Sequence, residues 1–107
     1  MTATLTPADD GYRVEVQIVA DSATLREQHR NAPADAAACT EPVGDGPVVA
    51  RVTFCRGMIT PETASHELFH AVLCWALRAE VSDWEDLAYA MGRMAGQLLT
   101  AIRRGTA

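Results

Sequence analysis

Five consecutive residues, His66-Glu67-Leu68-Phe69-His70, carry the pattern H-E-x-x-H. On a helix, residues four apart lie one turn apart on the same face. His66 and His70 can therefore turn two imidazoles toward one metal ion. Glu67 lies about 100° around from His66, at ~3.6 residues per turn. From there it can reach a water on that ion without being a ligand. Two nitrogen ligands and a general base on one rigid element are the working parts of a zinc hydrolase. The alternative reading is an accidental match, with two core histidines hydrogen-bonded to backbone. Against it, the chain has 3 histidines, and two of them fall at the ligand spacing.

The pattern needs a helix, and Thr60 to Leu77 supplies one. Thr60 suits the N-cap, Pro61 the first helical position, and Glu62 the positive end of the helix dipole. Leu68, Phe69, Val72, Leu73, Ala76 and Leu77 follow, with Ala71, Cys74 and Trp75 filling much of the remaining surface. A helix apolar nearly all round is expected to be buried. In such surroundings each histidine needs a partner, because unpaired buried polar groups are costly. A metal would satisfy both.

Catalytic zinc usually takes three protein ligands. Cys74 lies ~12 Å along the helix axis from His66, too far to join a shared ion, and reads as a small buried hydrophobe. Glu85, at the start of the next helical pattern, is the favoured third ligand, with Glu80, Asp86 and His29 behind it. A competing role exists for Glu85. Ser82-Asp83-Trp84-Glu85 also fits a capping box, in which Glu85 would bond the Ser82 backbone N–H.

The flanking segments set the scaffold. Residues 1–10 read as a flexible arm, and residues 11–107 as a single domain. Tyr12 to Ala20 alternates apolar and polar residues, as a half-buried strand does. Asp21 or Ser22 can cap a short helix running to about Arg30. Asn31 to Pro47 holds three prolines and two glycines and reads as loop. Val48 to Arg56 is a second strand. Ser82 to about Arg104 is a long helix whose stripe is Trp84, Leu87, Ala88, Met91, Ala95, Leu98 and Ile102. Gly92 and Gly96 flank that stripe. Glycine in a helix costs about 1 kcal/mol against alanine, which suggests close approach of another element there. Met91 and Met94 read as core filling.

Composition narrows the function classes. The chain has 107 residues, 49% hydrophobic and 21% charged, with a formal net charge of −5. All 9 basic residues are arginine, and they are scattered. An acidic chain without a basic patch argues against nucleic-acid binding. No apolar run is long enough to span a bilayer, and residues 1–10 lack a secretory apolar core. A cytoplasmic setting is expected. Cys39, Cys55 and Cys74, odd in number and without C-x-x-C spacing, are expected to be free thiols.

Val48 to Leu99 resembles the zincin metallopeptidases of the gluzincin type. More closely, it resembles the short proteins assigned as metallopeptidases in actinobacterial phages, whose setting would be the host cytoplasm. The residues carrying the likeness are the strand, the Pro61-Glu62-Thr63 helix start, His66 to Ala71, and Glu85-Asp86-Leu87-Ala88. The resemblance implies that His66 and His70 are the first two zinc ligands, Glu67 the general base, and Glu85 the third ligand. It implies an α+β fold: a minimal zincin-like domain in which a two- to three-stranded sheet packs on a buried H-E-x-x-H helix and a long C-terminal helix. Val48 to Arg56 would then be the edge strand that pairs with an extended peptide or protein substrate. Tyr89 or His29 could stabilise the oxyanion. The alternative function is a zinc-stabilised interaction module without catalysis.

Overall fold

The structure, a computed structural model, describes residues 2–33 and 35–105. Met1 of the expected arm, and residues 34, 106 and 107 of the expected domain, lie outside the described residues. In chain order the elements are β1 (Thr2–Leu5), β2 (Arg13–Val19), α1 (Ser22–Gln28), β3 (Ala38–Pro42), β4 (Val48–Cys55), α2 (Pro61–Ala79) and α3 (Trp84–Gly105). The fold is α+β, with a sheet of four strands rather than two or three, in the order β1-β2-β4-β3. β2 and β4 run parallel, and the outer strands pair antiparallel to them.

The inner strands form where the alternation is strongest. Val14, Val16 and Ile18 of β2, with Ala50, Val52 and Phe54 of β4, bury one face of the sheet. Onto it pack Leu68, Ala71, Val72, Trp75 and Ala76 of α2 and Ala90, Met94 and Leu98 of α3. Burying each large apolar side chain is worth about 1.5–3 kcal/mol, so this one layer carries most of the stability. The short α1 closes the other face at one end, over Val19, Leu25 and Cys55. Its N-cap is Asp21, whose carboxylate accepts from the Thr24 backbone N–H. That bond holds the Asp21 carboxyl below the usual carboxylate range.

Both outer strands depart from the sequence reading. Thr2–Leu5 is not a loose arm: it pairs with β2, and Leu5 is fully buried. Beyond it, Thr6 exchanges two hydrogen bonds of 2.8 Å with the Gln97 side chain, and Trp75 Nε1 donates to Asp10 Oδ2 at 2.7 Å. Arg93 pairs with Asp9 at 2.8 Å, which holds the Asp9 carboxyl down. These partners lie up to 91 residues away in sequence, so no local pattern announces them. β3 forms inside the segment read as loop. Pro42 is tolerated there because a proline at an edge strand removes no needed ladder bond. As a result Val48 to Arg56 is not the edge strand. β4 is central, and β3 is the edge beside α2.

α2 begins as expected, with Thr60 accepting from the Thr63 N–H and Pro61 opening the first turn. It ends at Glu80, in the left-handed conformation with φ 57°. α3 buries Ala90, Met94 and Leu98 with Leu87, Met91 and Ile102 beside them, while Trp84 is 86% exposed. The buried stripe is thus rotated from the expected one, away from Trp84, Ala88 and Ala95. A Cβ added at Gly92 or Gly96 would meet nothing within 4 Å, so no close approach explains those glycines. Cys39, Cys55 and Cys74 are all free. Among the described residues, no helix is long and apolar enough to cross a membrane.

Candidate metal centre

His66 and His70 lie in the second and third turns of α2, and their Nε2 atoms are 3.2 Å apart. The rings meet edge to face with centroids 4.8 Å apart. Together with the Glu67 carboxylate they form a cluster whose potential ligand atoms all lie within 4.8 Å of one another. Among the described residues this is the group of histidines, cysteines and carboxylates able to hold a metal ion.

The distribution of burial inverts the sequence expectation. α2 is not apolar and buried all round. Its outward face carries both histidines, with Phe69, Leu73 and Leu77 exposed beside them, Leu77 to 83%. Of the motif's three polar residues the buried one is Glu67, at 7% exposure. The ~100° step from His66 to Glu67 turns the carboxylate off the solvent face and toward β3. There Thr40 Oγ1 donates to Glu67 Oε1 at 2.8 Å, and the same hydroxyl lies 3.3 Å from the Glu67 carbonyl oxygen. A shallow depression of about 310 Å³ opens at this corner, lined by Ala37, Ala38, Glu62, Thr63, His66 and Glu67.

The donor set suits zinc. Two nitrogens bound at 2.0–2.1 Å with tetrahedral angles lie about 3.3 Å apart, close to the 3.2 Å between the two Nε2 atoms. At that separation one imidazole donates an N–H to the other's lone pair. A cation replacing the shared proton would meet two lone pairs already converging.

The other expected site residues lie elsewhere. Glu85 is exposed in the first turn of α3, where its backbone N–H donates to Asp83 Oδ1 at 2.8 Å. Asp83, not Ser82, therefore caps α3, and the Ser82–Glu85 capping box does not form in the expected register. Ser65 and Leu68 share a groove with Ala95 and Leu98, so the histidine pair lies level with that part of α3. Glu85 is ten to thirteen residues back along the helix, roughly 15–20 Å at 1.5 Å per residue. It does not reach the pair. Asp86 and Tyr89 line a depression with Trp75, Val81 and Arg93, at the far end of α2. Glu80 is the C-cap of α2.

His29 lies across the sheet. Its Nε2 is 3.1 Å from Thr53 Oγ1 and its Nδ1 is 3.9 Å from Glu41 Oε2. Thr53 alternates with Val52 and Phe54, which face α2, so the sheet separates His29 from Glu67. It can neither complete the metal set nor reach an oxyanion beside it. Cys74 is half-buried against the core, and burial pushes its thiol up, as befits a small hydrophobe. The residue that sequence reasoning missed is Thr40. It falls in a proline- and glycine-rich stretch, and nothing in its neighbours marks a strand that would carry it to Glu67.

No protein family, curated protein or solved structure matches the chain.

Proposed function

We propose that the chain is a zinc-dependent hydrolase of peptide bonds, with His66 and His70 as ligands and Glu67 as general base. The observation that carries this reading is the pair of Nε2 atoms 3.2 Å apart with a buried carboxylate in the same 4.8 Å cluster. A zinc ion held there would polarise a carbonyl and lower the pKa of its water to about 7. Glu67 is the residue that would take a proton from water at the site and later pass it to the leaving amine. Its burial against Thr40 limits the positions the carboxylate can adopt. The outer edge of β3 runs past the same corner and offers backbone groups for an extended peptide to pair with.

With Glu85 out of reach, the reading has two protein ligands. It therefore implies weaker zinc binding than a three-ligand site gives. The test of catalysis is Glu67→Gln against a proteome-derived peptide library. This variant should keep zinc and fold yet lose hydrolysis by roughly 10²–10⁴. Equal cleavage by both proteins would refute the mechanism.

A second reading is favoured by the apolar side chains around the pair. Phe69, Leu73 and Leu77 are exposed on the histidine face of α2. An interaction module that binds a partner protein through this face, with zinc as a brace, uses the same residues without cleavage. If wild type cuts no peptide while it binds zinc and a partner, this second reading replaces the first.

A further inference from the structure

We infer that Thr40 is a positioning residue that holds Glu67 as a base and keeps it from becoming a metal ligand. This rests on the zinc reading above and adds a role for a residue outside the motif. Glu67 is buried, so its carboxylate needs a partner within the protein. Thr40 supplies it, at 2.8 Å. The hydroxyl comes from β3, a separate element 27 residues earlier in the chain. Threonine is β-branched and stiff at χ1, and Thr40 is held in register opposite Val52 of β4. The anchor is therefore a rigid one.

The restraint matters because the carboxylate lies in the same cluster as the histidine nitrogens. The ligand atoms of the three residues lie within 4.8 Å of one another, whereas donors on one tetrahedral zinc sit about 3.3 Å apart. A carboxylate movement of at most roughly 1.5 Å would bring it to that spacing, on the tetrahedral geometry just given. Without the Thr40 hydroxyl, a buried and unsatisfied carboxylate would gain by making that move. The result would be a third ligand and no base. Thr40 thus separates two outcomes open to the same three side chains.

The test is zinc titration followed by the visible spectrum of the cobalt(II)-substituted protein. Thr40→Val removes the hydroxyl at constant volume, and Thr40→Ala does so without the branched side chain. Both should bind zinc about tenfold more tightly than wild type, with a shifted cobalt spectrum from the added oxygen donor. Thr40→Ser should behave as wild type. In a Glu67→Gln background, Thr40→Val should have no effect on affinity, which a merely structural role for Thr40 would not predict. If wild type binds zinc and neither Thr40→Val nor Thr40→Ala changes affinity or spectrum, the positioning role is wrong and the zinc reading stands. If wild type binds no zinc, the zinc reading falls and this inference falls with it.

Discussion

Each face of strand β3 meets histidine, a carboxylate and a threonine hydroxyl, with two histidines on one face and one on the other, and the two sets are built in opposite ways. On one face Thr40 bonds Glu67, beside His66 and His70. On the other, Glu41 lies 3.9 Å from His29, which is bonded to Thr53. Near α2 the carboxylate is buried and the histidines are exposed. Near α1 the histidine side chain is only 10% exposed and the carboxylate is 54% exposed. His29 is engaged through Nε2 by the Thr53 hydroxyl inside the fold. Among the described residues, the exposed His66 and His70 are engaged only with each other, Nε2 to Nε2 at 3.2 Å. Residue types are the same on both faces; what differs is whether the histidine or the carboxylate is the exposed member.

Substitutions can break or sharpen that contrast. The largest stability effect should come from Leu68→Ala, which empties a buried position within the motif, on the core side of α2. A cost of about 2–5 kcal/mol is expected in urea unfolding. Next is His29→Ala. It strands the Thr53 hydroxyl, buried at 2% exposure, and should cost about 1–3 kcal/mol while leaving zinc affinity unchanged. A loss of zinc there would overturn the division between the two faces. The smallest effect is expected for Leu77→Ser. Its side chain stands in solvent, so stability should move by no more than about 0.5 kcal/mol. A larger fall would mean that the outward face of α2 is covered in solution.

Much of the scaffold was legible because its signals are local. The Thr60-Pro61-Glu62 start of α2, the Asp21 cap of α1 and the alternation of β2 and β4 are each written within a few residues, and each element formed there. β1 and β3 were not legible. Each is four or five residues long with little alternation, and each exists through pairing with a distant strand. The grouping of His66, Glu67 and His70 follows from helical spacing, and the three lie together. Glu85 does not join them, because a third-ligand role needed the start of α3 to fold back beside His66. The short turn instead sets that start beside the far end of α2. The burial of Glu67 was hidden for a related reason: α2 is covered on one side only, and a list of apolar residues does not say which side.

The central claim is that His66 and His70 hold a metal through their converging nitrogens. Isothermal titration of the purified, metal-stripped protein with zinc tests it most directly, with His66→Ala, His70→Ala and His29→Ala in parallel. Wild type and His29→Ala should each bind about one zinc per chain with equal affinity, and the other two should bind at least ~10-fold more weakly. Zinc binding unchanged in both His66→Ala and His70→Ala would contradict the account.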